Sequence, residues 1–342
     1  MCGSEAANIS SEEYLELKRQ LKSLNKPAVK SIETVYGDIF DCVDIYKQPA
    51  LDHPLLKDHK IQMWPTSFPK GLESTQNRTA SEMGMKVELP DGGCPEGTVP
   101  IRRTQMKDLL RMKSQSKLRN KSINDARTYH HWVAARTQDG GRYYGTRADM
   151  NVWNPRVDYE DQYSRGQFWI MSGEPGTYNT GVRMDGLCTS NKVIAPGSAV
   201  EPVSAYNGKQ YHVTLQAFKD VVTHNWWVAV GGDDKNPVGY FPETLFNSLA
   251  ERASAVLWGG EVFSPGRIKQ PQMGSGHFPN EGYGKADFMK MVMTVDDQNK
   301  YIDARSNTYV YSDEPDCYNV GNPNQYGDKK SRRFLYFGGP GC

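Results

Sequence analysis

Residues 130–155 read HHWVAARTQDGGRYYGTRADMNVWNP, and this stretch decides the fold class. Short runs rich in aromatic and β-branched residues are broken by Gln138-Asp139-Gly140-Gly141, a hairpin-type turn signal. The same texture continues through QFWIMSG, KQYHVTLQAF, NWWVAVGG, ADFMKMVMTV, TYVYSD and RRFLYFGG, with Asn207-Gly208 as a second hairpin signal. Strands that recur at such short intervals imply two antiparallel sheets packed face to face. One helix is expected to interrupt them over residues 242–253, with Pro242 in its first turn and Leu245, Leu249 and Ala253 on one side.

Within this β text, residues 258–286, WGGEVFSPGRIKQPQMGSGHFPNEGYGKA, are where chemistry is expected. The apolar run Ala253, Ala255, Val256 and Leu257 starts a buried strand, and Glu261 sits where that strand leaves the core. Burial there is expected to raise its carboxyl pKa and suit it to acid–base work. The plainer alternative is a surface pair with Arg267 or Lys269. Gly259 and Gly260 are expected to let a peptide backbone approach. Gly274, Gly276, Gly282 and Gly284, interleaved with His277, Phe278 and Tyr283, suggest an ordered loop carrying aromatics into a cleft. No GK[ST] follows, so this is not a phosphate loop.

The chain has 342 residues, with 41 Lys and Arg against 40 Asp and Glu, so net charge argues for neither nucleic acid nor a membrane surface. Its length allows two domains, and no stretch is apolar enough to span a membrane, so a soluble protein is expected. Cys2, Cys42, Cys94, Cys188, Cys317 and Cys342 include no CxxC pair and no metal-spaced His, so neither a metal nor a cofactor is expected. Single cysteines together with sequons at Asn8, Asn77 and Asn120 fit disulfides in an oxidising compartment. Against export, Glu5, Glu12 and Glu13 fall where a signal peptide needs an apolar core.

Ahead of the β text, residues 1–30 form an N-terminal segment whose Ser10 and Glu13 make a capping box, with Tyr14, Leu17, Leu21 and Leu24 at helical spacing. From Val35, prolines at 49, 54, 65 and 69 break the chain into short strands and turns, a small unit that closes around Cys94. The basic residues from Arg102 to Lys121 admit three readings: a nucleic-acid arm, a solvated helix face over residues 104–112, or an exposed, protease-sensitive linker. The absence of aromatic partners ranks the arm last, and the linker is favoured.

DCVDIYKQPALDHPLLKDHKIQ, CPEGTVPIRR, NVWNP, NWWVAVGG, WGGEV, QMGSGHFPNEGYGKA and the terminal YFGGPG together resemble the plant neprosin family, over nearly the whole chain. The resemblance implies a secreted zymogen: an activation peptide domain over residues 31–122, including the basic stretch, then a β-sandwich glutamic peptidase domain over residues 123–342. It implies a pair of glutamates that activate water to cleave peptide bonds after proline at acid pH, with the activation domain as intramolecular inhibitor. The second family glutamate carries over onto Glu261, flanked by Trp258, His277, Phe278 and Tyr283 as cleft residues. The first does not carry over. Its tract is replaced by QFWIMSGEPGTYNTGVRMDGLC, and Glu174 is the nearest substitute. Disulfides are expected between Cys42 and Cys94 and between Cys317 and Cys342, leaving Cys2 and Cys188 free. The other function classes are a non-catalytic sandwich binding proline-rich or cell-wall glycoproteins, and a carbohydrate-binding sandwich.

Overall fold

A computed structural model describes residues 10–71, 87–121, 130–173, 186–231, 236–264, 269–304, 308–321 and 335–342. In chain order the strands are β1 (Ala28–Glu33), β2 (Ile39–Asp44), β3 (Thr98–Arg102), β4 (His130–Thr137), β5 (Gly145–Asn151), β6 (Tyr163–Met171), β7 (Cys188–Thr189) and β8 (His212–Lys219). They continue as β9 (Trp226–Val230), β10 (Asn236–Phe241), β11 (Ala255–Phe263), β12 (Asp287–Val295), β13 (Tyr301–Asp303), β14 (Thr308–Ser312), β15 (Asn319–Val320) and β16 (Leu335–Gly338). The helices are α1 (Ser11–Leu24) and α2 (Met106–Lys121).

The β-sandwich is a four-stranded sheet, β14-β4-β11-β6, packed on a nine-stranded sheet, β15-β16-β12-β5-β8-β9-β10-β7 with β13 beside β12, all antiparallel. Because strand side chains alternate between faces, each sheet splits cleanly. Val133, Ala135, Val256, Trp258 and Val262 point inward and join Ala148, Met150, Met289, Leu335 and Phe337 of the larger sheet in one core. The Gln138–Gly141 turn is not a hairpin: it carries the chain from β4 in one sheet to β5 in the other. The Asn207 turn holds Asn207 at φ +54 but closes a loop between Ala205 and Lys209, ahead of β8.

A third sheet, β1-β2-β3, belongs to the N-terminal unit and is closed by a Cys42–Cys94 disulfide. Cys317 pairs with Cys342, and Cys188 is free and buried; Cys2 lies outside the described residues. After β2 the chain makes 3-10 turns, not the short strands expected: Ile45–Lys47 is capped by the Asp44 side chain, which accepts from Tyr46 N, and Pro49–Asp52 and Pro54–Leu56 each start on a proline that fixes φ and removes a donor. This turn-rich segment lies on the outer face of the nine-stranded sheet. There Ala50 and Leu56 join Phe218, Trp227, Tyr240, Met293, Val295 and Tyr301 in a second buried cluster.

Helix α1 starts as its capping box requires, with Ser10 Oγ accepting from Glu13 N at 3.1 Å. The basic run is not a linker from its start. Arg102 pairs with Asp38 and Asp108, Arg103 with Asp41, and the chain then forms α2, anchored by buried Leu109 and a Lys113–Glu13 ion pair to α1. The helix expected over residues 242–253 is instead two 3-10 turns, Glu243–Leu245 and Ser248–Ala250, broken at Asn247, where φ −95 and ψ −91 are non-helical. Among the described residues no helix is long and apolar enough to cross a membrane.

Candidate functional site

Strand β11 positions Glu261. On the inward side of that strand, buried Trp258 donates Nε1–H to Thr146 Oγ1 at 2.9 Å. Glu261 is three residues further on, and an odd separation along a strand puts the two side chains on opposite faces. Trp258 is therefore a core residue, which corrects its assignment to the cleft. Glu261 lies on the outer face of the four-stranded sheet, in register with Trp132 on β4 and Arg165 on β6.

Three donors converge on this carboxylate. Tyr163 OH donates to Oε1 at 2.7 Å, Gln167 Nε2 donates to Oε2 at 2.6 Å, and His130 Nδ1 lies 3.1 Å from Oε1. Register explains the convergence, since Tyr163 and His130 both face Phe263 and Gln167 faces Gly259, all one strand-step of two from Glu261. Burial alone would raise the carboxyl pKa, but hydrogen bonds from His130, Tyr163 and Gln167, with the charge of His130, override it and hold Glu261 down to about 2. The expectation of a raised pKa fails because it counted desolvation and could not see the donors. Glu261 is consequently ionised across nearly the whole acid range.

The walls around it are aromatic. Trp132 stands 4.6 Å from Tyr311 and edge-on to Trp169 at 6.4 Å, centroid to centroid. Tyr163 stacks on Phe263 at 5.4 Å and carries the Arg165 guanidinium 3.9 Å above its ring. Tyr309 and Tyr311 are each 44% exposed, which leaves this face available to a ligand. Apolar residues form the floor, with Ala134, Ala255 and Leu257 buried and packed against Trp132, Trp169 and Met171.

The glycines beside Glu261 serve packing, not the approach of a peptide. A Cβ on Gly260 would come within 2.6 Å of Met273 Sδ and 2.9 Å of Phe337 in the core, and one on Gly259 would strike the Val133 carbonyl. His277, Phe278 and Tyr283 belong to a loop on the other sheet's side. His277 stacks with Tyr206 at 4.3 Å and bonds Glu281 at 2.9 Å, Phe278 caps the 3-10 turn Pro279–Glu281, and Tyr283 packs 5.6 Å from Phe288. None of these contacts reaches Glu261.

Among the described residues no second carboxyl touches Glu261. Asp313, just past β14, accepts from Trp132 N at 3.1 Å and faces His131 at 3.3 Å. That places it across β4 from Glu261, two strand spacings or about 10 Å away. Glu174, Asn8 and Asn77 lie outside the described residues, whereas Asn120 falls within α2. His130, Trp132, Tyr163, Gln167, Trp169 and Tyr311 were not anticipated from sequence; the alternation in HHW and YSRGQFW fixes which of them share a face, but only sheet order brings the strands together.

A family model described as Neprosin matches residues 153–340, more than half of the chain, and one described as Neprosin activation peptide matches residues 31–146.

Proposed function

The chain belongs to the neprosin family, with the organisation of a neprosin-type peptidase zymogen that carries its own activation domain as intramolecular inhibitor, and on that premise we propose that it holds extended, proline-containing peptides against the outer face of the four-stranded sheet, over Glu261, without cleaving them by a carboxylate pair. The observation carrying this reading is the environment of Glu261. A glutamic dyad needs two carboxyls close enough to share a proton, one ionised as base and one protonated as acid. Among the described residues the ionised member is present, but its contacts are a phenol, an amide and an imidazole.

The aromatic walls support the choice of ligand. Proline-rich chains preform an extended helix at low entropic cost and dock in grooves lined by aromatic rings. The angled rings of Trp132, Trp169 and Tyr311 make such a notch, and Arg165 and Gln167 offer donors to backbone carbonyls along the exposed side of β6. Two disulfides support a secreted setting, and we place the boundary between the activation and sandwich domains near residue 122, between α2 and β4.

Titration of tryptophan fluorescence with a proline-rich peptide tests binding, and mass spectrometry of the same mixture tests cleavage. Saturable quenching that disappears in Trp132→Ala, with the peptide intact, is expected. Turnover abolished by both Glu261→Gln and His130→Ala would instead make the carboxylate–imidazole pair the hydrolytic machinery.

A further inference from the structure

Glu261 and the N-terminal unit occupy opposite outer faces of the sandwich. The described part of that unit is bound to the nine-stranded sheet by three independent kinds of contact. Buried Gln48 clips β7 in both directions, donating Nε2–H to Thr189 O at 3.2 Å while its Oε1 accepts from Thr189 N at 2.7 Å. Asp220, fully buried, accepts from Thr66 N and Thr66 Oγ1, at 2.5 and 2.7 Å. Backbone ladders continue the seam, with Lys70 bridging Lys300 and Leu89 N donating to Val193 O at 2.8 Å.

Without this cover, Phe218, Trp227 and Tyr240, all 0% exposed, would face water together with Met293 and Tyr301. A contiguous apolar patch of that kind is rarely left open on a folded monomer, and the Asp220 carboxylate would lose three donors, Thr66 N, Thr66 Oγ1 and Gln62 Nε2. The Cys42–Cys94 disulfide lies wholly within the N-terminal unit, so it does not tether that unit to the sandwich.

We infer that residues 28–71 and 87–102 are a permanent third layer of the fold, so that cutting the chain in α2 yields a non-covalent two-fragment complex and does not by itself release the activation unit. The surface at issue is the outer face of the nine-stranded sheet, and its partner is the chain's own N-terminal fragment. Release of the N-terminal unit would then require a second event that loosens the Gln48 and Asp220 seam.

The test uses the full chain with residues 114–121 replaced by a site-specific protease sequence, cut at neutral pH and passed over a gel-filtration column. Both fragments are expected in one peak at the uncut size, separating only in denaturant. Two separate native peaks would overturn the inference. Gln48→Ala is expected to weaken the cut complex about ten-fold, the loss of roughly one buried pair of hydrogen bonds. If that variant does not fold, Thr66→Val, which removes one donor to Asp220, is expected to weaken it in the same direction. A complex unchanged in strength by the seam variant would equally overturn it.

Discussion

Replacing Glu261 by Gln removes a charge that the fold stabilises, and the size of the loss follows from the site. An unperturbed Glu titrates near 4.3, whereas the donors around Glu261 hold it down to about 2. Roughly two units at 1.36 kcal/mol each make the ionised form worth about 3 kcal/mol to the folded state. The side chain is only 20% exposed, so solvent screening removes little of that. A depressed carboxyl contributes in full above its unfolded value, and its contribution is lost as pH falls through the folded one. Glu261→Gln should therefore melt roughly 6–12 °C below the parent at pH 7, taking 2–4 °C per kcal/mol for a domain of this size. The gap should begin to narrow below about pH 4.3 and nearly close at pH 2. Thermal unfolding followed by circular dichroism from pH 7 to pH 2 measures it. Equal melting temperatures at pH 7, or a gap that persists unchanged at pH 2, would refute the convergence of donors on this carboxylate.

Three further outcomes are expected. His59 sits in the seam with Nε2 2.7 Å from Tyr240 OH, and burial lowers its pKa; its neutral form is the favoured one, so seam stability is lost as pH falls below the unfolded value near 6.5. His59→Gln should flatten that dependence in denaturant titrations, and an unaltered pH profile would remove His59 from it. Trp258→Ala should cost about 3–5 kcal/mol as a core deletion, whereas Trp132→Ala, which removes a partly buried ring with two aromatic contacts, should cost clearly less and abolish peptide quenching; the reverse pattern would exchange their roles. Cys42→Ser should cost about 4 kcal/mol from the loop closed across a separation of 52 residues, read as an earlier denaturation of the N-terminal unit, and peptide mapping that joined Cys188 to Cys42 would contradict the pairing.

The alternation of short strands was legible from residues 130–155 onward, and so were α1 and both disulfide pairings. The side of Trp258 was legible too, because a three-residue offset along a strand fixes opposite faces, although proximity in WGGEV suggested one cleft. What could not be read is non-local. Sheet order β14-β4-β11-β6 brings His130, Trp132, Tyr163 and Gln167 around Glu261 from strands up to 131 residues away in sequence, and it reverses the direction of the pKa shift. The basic run misled for a different reason: its few apolar residues suggest a linker, but buried Leu109 and the pairs made by Arg102, Arg103 and Lys113 hold its first half in place. The turns after Pro242 look helical in spacing, yet Asn247 leaves the helical region and splits them.

The central claim is that this face binds a peptide without a second carboxyl among the described residues to complete its hydrolysis, and absence of a positioned general acid commonly lowers rate by ~10²–10⁴. The most direct measurement incubates the protein, cut in α2 and stripped of its N-terminal fragment, with a proline-containing peptide at pH 4, and follows both bound peptide and new termini by mass spectrometry. Bound, intact peptide at saturating protein is the expected result. Rapid cleavage after proline that vanishes in Glu261→Gln but survives in His130→Ala would contradict it, because it would require a second carboxyl acting with Glu261.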